Sequence, residues 1–442
     1  MLSMRKESLL NFVYSRVSCY DTNMSSKLIQ SVKGTRDFYP EDMVFRKWLF
    51  GKMRNLSESF GYQEYDGPIL EPLELYSAKS GEELVKQQTF VLTDRGDRQL
   101  ALRPEMTPTL ARMVANKQNE LPKPLRWFNI GPRFRYEQPQ KGRFREFYQW
   151  DIDLIGSSAP ETDAEILAIA AEFLKSLGLS PKEVKIKVNS RQLMEQKLNL
   201  IGIPEDKITL VFRAIDRKEK MEITEWEKWL IDLGLTKLQV EDLIKILSDK
   251  DFSGESETLT QIFSTLEDLK VREYFEFDPN IVRGLEYYTG IVFEAKDVEG
   301  KFRAILGGGR YDNLVEIVGG SPLSGVGFAA GDAVIEEILR EKGKIPVSFS
   351  DKPKILVTVF NEELMRNSLK ATGMLRDFGC NVALYPEPIK LDKQIKYANE
   401  LKFSYVVIIG PDEASKGTAT IKNMTDGTQK EVSLENLPNE LK

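Results

Sequence analysis

The most conspicuous absence from this 442-residue chain is histidine, which does not occur at all. Its absence excludes Ser-His-Asp and Cys-His nucleophilic sites, and it excludes metal centres that depend on imidazole ligands. Histidine is also the usual side chain for proton transfer near neutral pH. Any acid–base chemistry must therefore use carboxylates, lysine, tyrosine or a group of the substrate.

Cysteine is nearly absent as well, with two residues, Cys19 and Cys380. Two thiols cannot build a four-thiolate metal site or a disulfide framework, so the sequence favours a reducing compartment. We predict no metal site made by the protein itself. No apolar run approaches the roughly 18 residues that a membrane-spanning helix needs. The sequence therefore predicts a cytoplasmic protein without a membrane partner.

The remaining composition is that of an ordinary globular protein, with 29% charged and 41% hydrophobic residues. At roughly 100–200 residues per domain, the length predicts two to four domains. Acidic residues outnumber basic ones by 68 to 62, which gives a formal charge of −6. This balance argues mildly against a nucleic-acid-binding protein, but net charge does not exclude local basic surfaces.

Residues 1–27 differ from the rest of the chain. They are rich in serine, contain two acids, Glu7 and Asp21, and include an internal Met24. A basic, acid-poor segment of this kind is typical of organelle targeting. The alternatives are a disordered tail or an over-long start with Met24 as the initiator. We treat residues 1–27 as a separate tail.

Periodicity divides the rest of the chain into segments. Residues 42–60 and 162–178 are predicted helices, the second with Thr162 as N-cap and Gly178 at its end. Residues 191–275 are poor in glycine and rich in Lys, Glu, Leu and Ile, and this composition predicts an inserted helical module. Strands are predicted within 28–190 at 89–93, 99–103, 125–135 and 145–155.

The second half returns to strand and glycine signals at 276–343, ending in a helix at 331–342. A linker follows at 343–353. Residues 353–442 then alternate strand, helix, strand, helix and strand, and close with a hairpin that turns at Asp426-Gly427. This order predicts a small α/β domain with helices packed on a mostly parallel sheet.

Residues 126–145 are a basic cluster, with six basic residues against the single acid Glu137. Interrupting glycine and proline residues predict a hairpin, and strand alternation places Arg133 and Arg135 on one face. Converging guanidinium groups suit phosphate oxygens, so the density of charge favours polyphosphate binding over a solvated edge strand. The basic residues are Arg126, Arg133, Arg135, Lys141, Arg143 and Arg145.

Three further segments could line a site. In 102–108, two prolines flank Glu105 and Thr107, which could bind an ammonium or a ring N–H, or could simply begin a helix. In 283–290, glycines bracket an arginine and two tyrosines, which could line a pocket or pack a strand edge. Glycines at 307–309 and in 325–331 would let the backbone approach a ligand closely. They do not form a dinucleotide fingerprint, and no Walker-type phosphate loop occurs, so any ATP site uses another architecture.

Together these segments resemble the histidyl-tRNA synthetase family of class II aminoacyl-tRNA synthetases over about residues 30–440. Gly-Thr-Arg-Asp at 34–37 looks like the opening motif of the family, and Phe-Arg-Tyr-Glu at 134–137 looks like the second class II motif. Segments 283–290 and 308–312 look like the two histidine-specific peptides. Each motif is weak alone, but their order along the whole chain is highly specific.

The resemblance implies an α+β fold: an antiparallel-sheet catalytic domain (28–190 and 276–343) with a helical insertion (191–275), plus a C-terminal α/β anticodon-binding domain (353–442). It implies a homodimer that activates histidine with ATP to histidyl-adenylate and transfers it to the 3′ end of tRNA(His). Magnesium would neutralise the departing pyrophosphate. The substrate carboxylate is itself the nucleophile, so activation needs no protein base.

The resemblance also assigns roles to residues. Arg135 and Arg283 match two arginines on the ATP α-phosphate and are the predicted catalytic residues, where they would stabilise developing charge. Glu137 and Phe147 match an adenine-end carboxylate and a ring stacked on adenine. The predicted histidine-binding residues, in addition to the two arginines, are Glu105, Met106, Thr107, Gln149, Asp153, Tyr287, Tyr288 and Tyr311.

The chain departs from the family pattern at two of these motifs. Position 286 is Glu where the family usually has Asp. In the segment 327–334, which looks like the third class II motif, the arginine that would bind the γ-phosphate falls on Val334. Its loss should weaken ATP binding by about 1.5–3 kcal/mol unless Arg310 or another cation compensates.

Two alternative functions follow from the same motifs. One is a non-catalytic paralogue, such as a histidine-sensing regulatory subunit of ATP phosphoribosyltransferase, which Val334 favours. The other is a sister class II synthetase for threonine, proline or glycine, which does not fit segment 283–290. An intact second motif and a C-terminal tRNA domain favour the active ligase, because a sensor needs neither.

Overall fold

The computed structural model describes residues 28–77, 88–283, 287–346 and 353–441. The predicted tail at 1–27, Glu286 and most of the predicted linker lie outside these residues. The chain divides into two compact units, Met1–Ile345 and Pro346–Lys442. Each unit has its own sheet and core.

The first unit is built on an eight-stranded sheet in the order β1-β5-β6-β11-β10-β9-β7-β8. All neighbours are antiparallel except the pairs β1–β5 and β7–β8. A small antiparallel sheet, β2-β4-β3, stands beside it. The strands are β1 (Gln63–Glu64), β2 (Leu70–Pro72), β3 (Phe90–Thr93), β4 (Gln99–Leu102), β5 (Leu125–Phe134), β6 (Glu146–Ile155), β7 (Val184–Ser190), β8 (Phe275–Phe277), β9 (Ile291–Asp297), β10 (Leu306–Tyr311) and β11 (Gly325–Gly331).

Helices flank this sheet, and a run of helices between β7 and β8 occupies the predicted insertion. Short 3-10 turns at Lys218–Lys220, Phe252–Glu255 and Arg272–Tyr274 join them. The helices are α1 (Pro40–Ser59), α2 (Leu73–Ser77), α3 (Thr107–Asn116), α4 (Pro160–Ser176), α5 (Arg191–Leu200), α6 (Glu205–Arg217), α7 (Ile223–Asp232), α8 (Lys237–Ser248), α9 (Glu257–Asp268), α10 (Leu314–Ile317) and α11 (Asp332–Glu341).

The core of the first unit lies between the large sheet and α4. Trp150 of β6 contacts Phe173 of α4 and Phe328 of β11 edge-on, with ring centroids 4.8 and 5.0 Å apart. Its indole N–H donates to the Ser57 hydroxyl of α1 at 3.0 Å. Because side chains alternate along a strand, Trp150 facing the helices leaves Gln149 and its odd-numbered neighbours on the opposite face.

The predicted elements of this unit are found within a few residues of their expected bounds. At the start of α4, Ala159 is the N-cap and Pro160 begins the helix, so the assignment of Thr162 as N-cap is wrong. Proline is favoured at the first helical position because its φ is already helical and its missing N–H costs nothing there. The predicted Gly178 end is correct, and its φ of +76° is the left-handed conformation that glycine adopts freely.

The second unit contains a five-stranded sheet in the order β13-β12-β14-β15-β16. The first three neighbours are parallel, and β15 and β16 form an antiparallel hairpin, as predicted. A short helix between β14 and β15 was not predicted. The elements are β12 (Lys354–Val357), α12 (Met365–Asp377), β13 (Asn381–Leu384), α13 (Leu391–Glu400), β14 (Tyr405–Ile408), α14 (Pro411–Lys416), β15 (Thr418–Asn423), β16 (Gln429–Ser433) and α15 (Leu437–Glu440).

Candidate active site

The predicted site residues converge on the face of the large sheet that is opposite α4. Phe147, Gln149 and Asp153 project there from alternate positions of β6. Tyr311 ends β10 on the same side, and its hydroxyl donates to Asp153 Oδ1 at 2.5 Å. The sheet therefore brings together residues that are more than 150 positions apart in the chain.

Tyrosine rings and carboxylates form the wall of this site. The Tyr287 hydroxyl donates to Glu105 Oε2 at 3.3 Å. The Tyr287 ring lies 4.8 Å from Tyr288 and 6.1 Å, edge-on, from Tyr311. All four residues are buried, as is Asp153, so two carboxylates and three phenols share one enclosed region.

Two acceptor atoms in this region remain unsatisfied within the described part of the chain. They are Asp153 Oδ2 and Gln149 Oε1, both buried without a hydrogen-bond partner. Burial raises the pKa of Asp153 to about 8, and nearby Asp151 adds to the shift, although the Tyr311 hydroxyl and Arg133 oppose it. Unpaired buried acceptors are costly, so these two oxygens are candidate acceptors for the donors of a ligand, such as an ammonium group.

Two arginines border the same region. Arg135 follows β5; its Nε donates to the Pro104 carbonyl at 3.0 Å, and its guanidinium lies 5.3 Å from the centroid of the Phe147 ring. Burial lowers the pKa of Arg135, while Glu105 opposes that shift and Arg283 adds to it. Arg135, Glu105 and Arg283 are therefore near enough to interact electrostatically.

Arg283 is held in an unusual backbone conformation, with a φ of +56°. This left-handed region is uncommon for a residue with a side chain and is a recurrent feature of functional sites. Its Nη1 donates to Glu294 Oε1 at 2.9 Å, while Nε is buried without a partner in the described structure. The guanidinium thus keeps a donor for another group.

Glycines in β10 and β11 make room for these side chains. A Cβ at Gly307 would overlap the Arg283 guanidinium, and a Cβ at Gly327 would overlap the Asp153 carboxylate. A Cβ at Gly309 would stand 2.7 Å from the Tyr288 ring. The sequence predicted that these glycines bring the backbone near a ligand; the structure shows that they bring it against the side chains of the site.

The basic cluster does not converge as a whole. Arg133 is fully buried, and its Nη2 donates to Asp151 Oδ2 and Asn129 Oδ1 at 2.7 Å each. Arg126 forms a two-pronged pair with Glu165 on α4, with both distances 2.9 Å. The predicted convergence of Arg133 with Arg135 on a phosphate is therefore wrong, because the buried Asp151 carboxylate of β6 already pairs with Arg133.

The remaining predicted residues are Met106, Thr107 and Glu137. Met106 is completely buried at the N-cap of α3, which begins at Thr107. Glu105 therefore precedes the helix instead of lying in its first turn. Glu137 is buried and forms an ion pair with Arg143 across the hairpin turn. The hairpin over 126–145 is itself confirmed by the pairing of β5 with β6.

In the segment 327–334, which looks like the third class II motif, Val334 occupies the position of the expected arginine. Val334 is buried in α11. It lies close to Gly142 of the hairpin turn, where an added Cβ would be 3.5 Å from the Val334 Cγ2 atom. Arg310 donates to Asp163 Oδ1, to the Thr162 hydroxyl and to the Ser157 carbonyl at 2.9–3.0 Å. Arg310 is thus fully engaged on the α4 side, so it does not compensate for Val334.

Some residues of the site carried no sequence signal. Asn129, Asp151 and Glu294 are ordinary strand residues by pattern, and only the sheet register reveals them as partners of Arg133 and Arg283. Across the described ranges, no group of three or more acidic or cysteine side chains could hold a metal ion. Nor is any helix there long and apolar enough to cross a membrane.

A mixed, largely antiparallel sheet with two arginines and buried carboxylates on one face is the arrangement that the resemblance implies for a class II aminoacyl-tRNA synthetase. A model of the histidyl-tRNA synthetase family matches residues 34–333, and an anticodon-binding domain model matches residues 354–442. The chain belongs to the histidyl-tRNA synthetase family. The predicted family, fold class and enzyme class are confirmed.

Similar proteins cover nearly the whole chain. "Histidine--tRNA ligase, chloroplastic/mitochondrial" of Arabidopsis thaliana is 40% identical over 415 residues, which is 92% of this chain and 85% of that protein. The histidine--tRNA ligase of Thermoplasma volcanium is 39% identical, covering 92% of this chain and 97% of that protein. The crystal structure of histidyl-tRNA synthetase from Nostoc sp. PCC 7120 superposes with a TM-score of 0.79 at 26% identity, covering 93% of this chain and 98% of that one.

Proposed function

We propose that this chain joins histidine to ATP to form histidyl-adenylate and pyrophosphate, and then transfers the histidyl group to the 3′ end of tRNA(His). One observation carries the proposal: two unpaired buried acceptor oxygens and two partly buried arginines border one region on the same face of the sheet. Such a site receives a cationic group at one end and an anionic group at the other. An amino acid that is activated on a phosphate needs both.

For the histidine substrate, we assign the α-amino group to Asp153 and Gln149, with Thr107 nearby. The imidazole is assigned to Glu105 and Tyr288, since a carboxylate accepts from a ring N–H. Tyr287, Tyr311 and Met106 enclose the pocket. A chain without histidine thus receives imidazole only from its substrate.

For ATP, we assign the α-phosphate to Arg135 and Arg283. The adenine ring is assigned to Phe147, with Glu137 at its edge. The histidine carboxylate attacks the α-phosphorus, pyrophosphate leaves, and negative charge grows on the phosphoryl oxygens. Guanidinium groups already fixed by Pro104 and Glu294 stabilise that charge without reorganising.

Magnesium is proposed to enter with ATP, held by phosphate oxygens. Within the described residues, the protein offers no cluster of three acidic or cysteine ligands for a resident ion. A metal that arrives on the triphosphate needs few protein ligands. We therefore assign it to the substrate complex.

The macromolecular partners are tRNA(His) and a second copy of the chain. The C-terminal unit, which matches an anticodon-binding model, is assigned to the tRNA. A homodimer is supported by exposed apolar side chains on the small sheet, including Leu70 and Leu92, at 44% and 47% exposure. Sedimentation velocity tests this proposal, and a monomer at micromolar concentration would contradict it.

Cytoplasm is the proposed location, and an organelle is the alternative. The relative from Arabidopsis is named chloroplastic/mitochondrial, which supports keeping that alternative. Fractionation of cells that express the chain with a C-terminal tag distinguishes the two. Tag signal confined to an organelle would contradict the cytoplasmic proposal.

Histidine-dependent exchange of pyrophosphate into ATP tests the proposed function. We expect exchange by the wild-type chain and a loss of at least a hundred-fold in Arg135→Ala and Arg283→Ala. Arg98→Ala is the matched control, because Arg98 is an exposed arginine whose side chain pairs with Asp94. No exchange by folded wild-type protein would refute the ligase, and exchange driven by another amino acid would change the assigned substrate.

The histidine-sensing regulatory paralogue is less supported. It requires histidine binding but neither the ATP arginines nor a tRNA-binding unit. The match of residues 354–442 to an anticodon-binding domain opposes it. Val334 alone favours it. An active ligase that binds ATP more weakly is equally compatible with that residue.

A further inference from the structure

Arg283 is held by residues that do not line the proposed substrate pocket. Its guanidinium lies over Gly307, and its Nη1 donates to Glu294 Oε1 of β9 at 2.9 Å. The Glu294 side chain is 17% exposed, so this ion pair is largely shielded from solvent. A partly buried, charge-assisted hydrogen bond of this kind fixes a guanidinium more firmly than an exposed ion pair does.

Glu294 is in turn held by a neighbour on the same face of its strand. Lys296 is two positions further along β9, so its side chain lies next to that of Glu294. Its Nζ lies 3.1 Å from Glu294 Oε2 and 3.2 Å from Glu219 Oε2. Glu219 belongs to the 3-10 turn that follows α6 in the helical insertion. Charges of alternating sign thus run from the insertion to Arg283.

The backbone that leads into Arg283 is tied to the insertion as well. Asn280 Nδ2 donates to the carbonyl of Leu247 in α8 at 2.9 Å. Lys218 Nζ donates to Asn280 Oδ1 at 3.3 Å. The left-handed φ of Arg283 follows only three residues later, so the helical insertion restrains both the backbone and the side chain of this arginine.

We infer that Glu294 is a positioning residue for Arg283, and that Lys296 and Glu219 couple the helical insertion to it. The inference rests on the proposed role of Arg283 at the α-phosphate. Glu294 orients the guanidinium, Lys296 orients Glu294, and Glu219 anchors Lys296. A displacement of the insertion therefore changes how well Arg283 meets the phosphate.

Steady-state pyrophosphate exchange with full-length variants tests this coupling. We expect Glu294→Gln to lower kcat roughly ten- to a hundred-fold with the KM for histidine unchanged, because it weakens a charge-assisted bond to a transition-state group. Glu294→Asp, which keeps the charge, should recover part of the loss. A merely structural role would not produce this split between kcat and KM or this recovery.

A double-mutant cycle tests the link to the insertion. We expect Lys296→Met to lower kcat several-fold in the wild-type background and to have no further effect in Glu294→Gln, because the two act in series. Glu219→Gln should act in the same direction but more weakly, since Glu219 is 67% exposed and screened by salt. Lys301→Met is the matched control, because that lysine pairs with Glu299 and Glu341 instead.

The outcomes separate this inference from the proposed function. If Arg283→Ala is inactive while Glu294→Gln and Lys296→Met equal wild type, the coupling is refuted and the ligase stands. If Arg283→Ala is as active as wild type, both the proposed role of Arg283 and the coupling are refuted. Additive losses in the cycle would refute the series arrangement. Should Glu294→Gln fail to fold, Lys296→Met and Glu219→Gln decide the question.

Discussion

Asp153 shows how one residue acquires its chemistry from its surroundings. In the sequence only the family resemblance marks it, whereas in the fold β6 buries it beside Asp151, and the Tyr311 hydroxyl satisfies only one of its oxygens. Burial raises its pKa to about 8. The free protein at pH 7 therefore holds this carboxyl mostly protonated, while an ammonium ligand favours the ionised form.

We predict that histidine binding releases close to one proton at pH 7. The affinity should rise roughly five-fold between pH 7 and 8, because the ligand selects the ionised Asp153 and about half of that carboxyl is already ionised at pH 8. The folding stability of the free protein should change with pH in the opposite direction to the histidine affinity. A raised pKa of Asp153 contributes stability at low pH, and this contribution is lost as pH rises towards 8. Titration calorimetry in buffers of different ionisation enthalpy measures the released protons. Asp153→Asn should release none, and equal release by both proteins would contradict the assignment.

Several candidate site residues were identifiable from the sequence because the residue type and the motif agree. Arg135, Glu105 and the tyrosines carry charge or phenol groups within segments whose glycine and proline pattern constrains the backbone. Glu294 and Asn129 were not predictable. Each is a polar residue in a strand, and its significance comes from a partner that only the register of the sheet supplies.

At the scale of elements, the glycines of β10 decide which side chains the sheet can carry. A strand normally presents a side chain at every second position on each face, and that row would fill the site. Glycine at 307 and 309 leaves space that Arg283 and Tyr288 occupy. Glycine weakens a strand because it has no side chain to pack, but here it lets the site residues approach the backbone closely.

Gly307→Ala should therefore displace the Arg283 guanidinium and lower exchange activity more than ten-fold while the protein stays folded. The atoms that the new Cβ meets belong to a side chain that can move, not to the backbone. Gly331→Ala in β11 is the matched control, because nothing lies within 4 Å of its Cβ position. Thermal unfolding checks that both variants fold. Full activity in Gly307→Ala would contradict the placement of Arg283.

The basic hairpin shows where element-level reasoning fails. Strand alternation places Arg133 and Arg135 on one face, but Arg133 lies inside the regular strand and pairs with Asp151, whereas Arg135 lies just beyond it. Charge density along the chain does not reveal which cations have internal partners. The N-cap error at Thr162 has a similar origin, since the hydroxyl bonds to the Ala159 carbonyl and to Arg310 instead of a helix N–H.

At the scale of the molecule, the chain forms two units with separate cores. The second unit buries its own cluster around Ile355, Leu375 and Val407, and its sheet is complete within Pro346–Lys442. A core of this kind in about 90 residues is enough for independent folding. The insertion between β7 and β8, by contrast, belongs to the first unit.

We predict that residues 353–442 alone fold and melt cooperatively, as measured by circular dichroism. The chain that ends at residue 345 should keep histidine-dependent exchange within a few-fold but charge tRNA(His) at least ten-fold more weakly, since the proposed anticodon contacts are lost. Both fragments follow the boundary between the two compact units, which lies between Ile345 and Pro346. Equal loss of exchange and charging would show that the second unit supports the chemistry of the first.

The sequence by itself determined the order of the predicted elements and the family, and it identified most candidate site residues. It did so because periodicity, turn residues and short motifs are local properties of a chain. The tertiary structure alone decided which charges are neutralised internally, which acceptors stay unpaired and which residues hold Arg283. Those properties depend on strand register and burial, which join residues more than a hundred positions apart, and no local pattern records them.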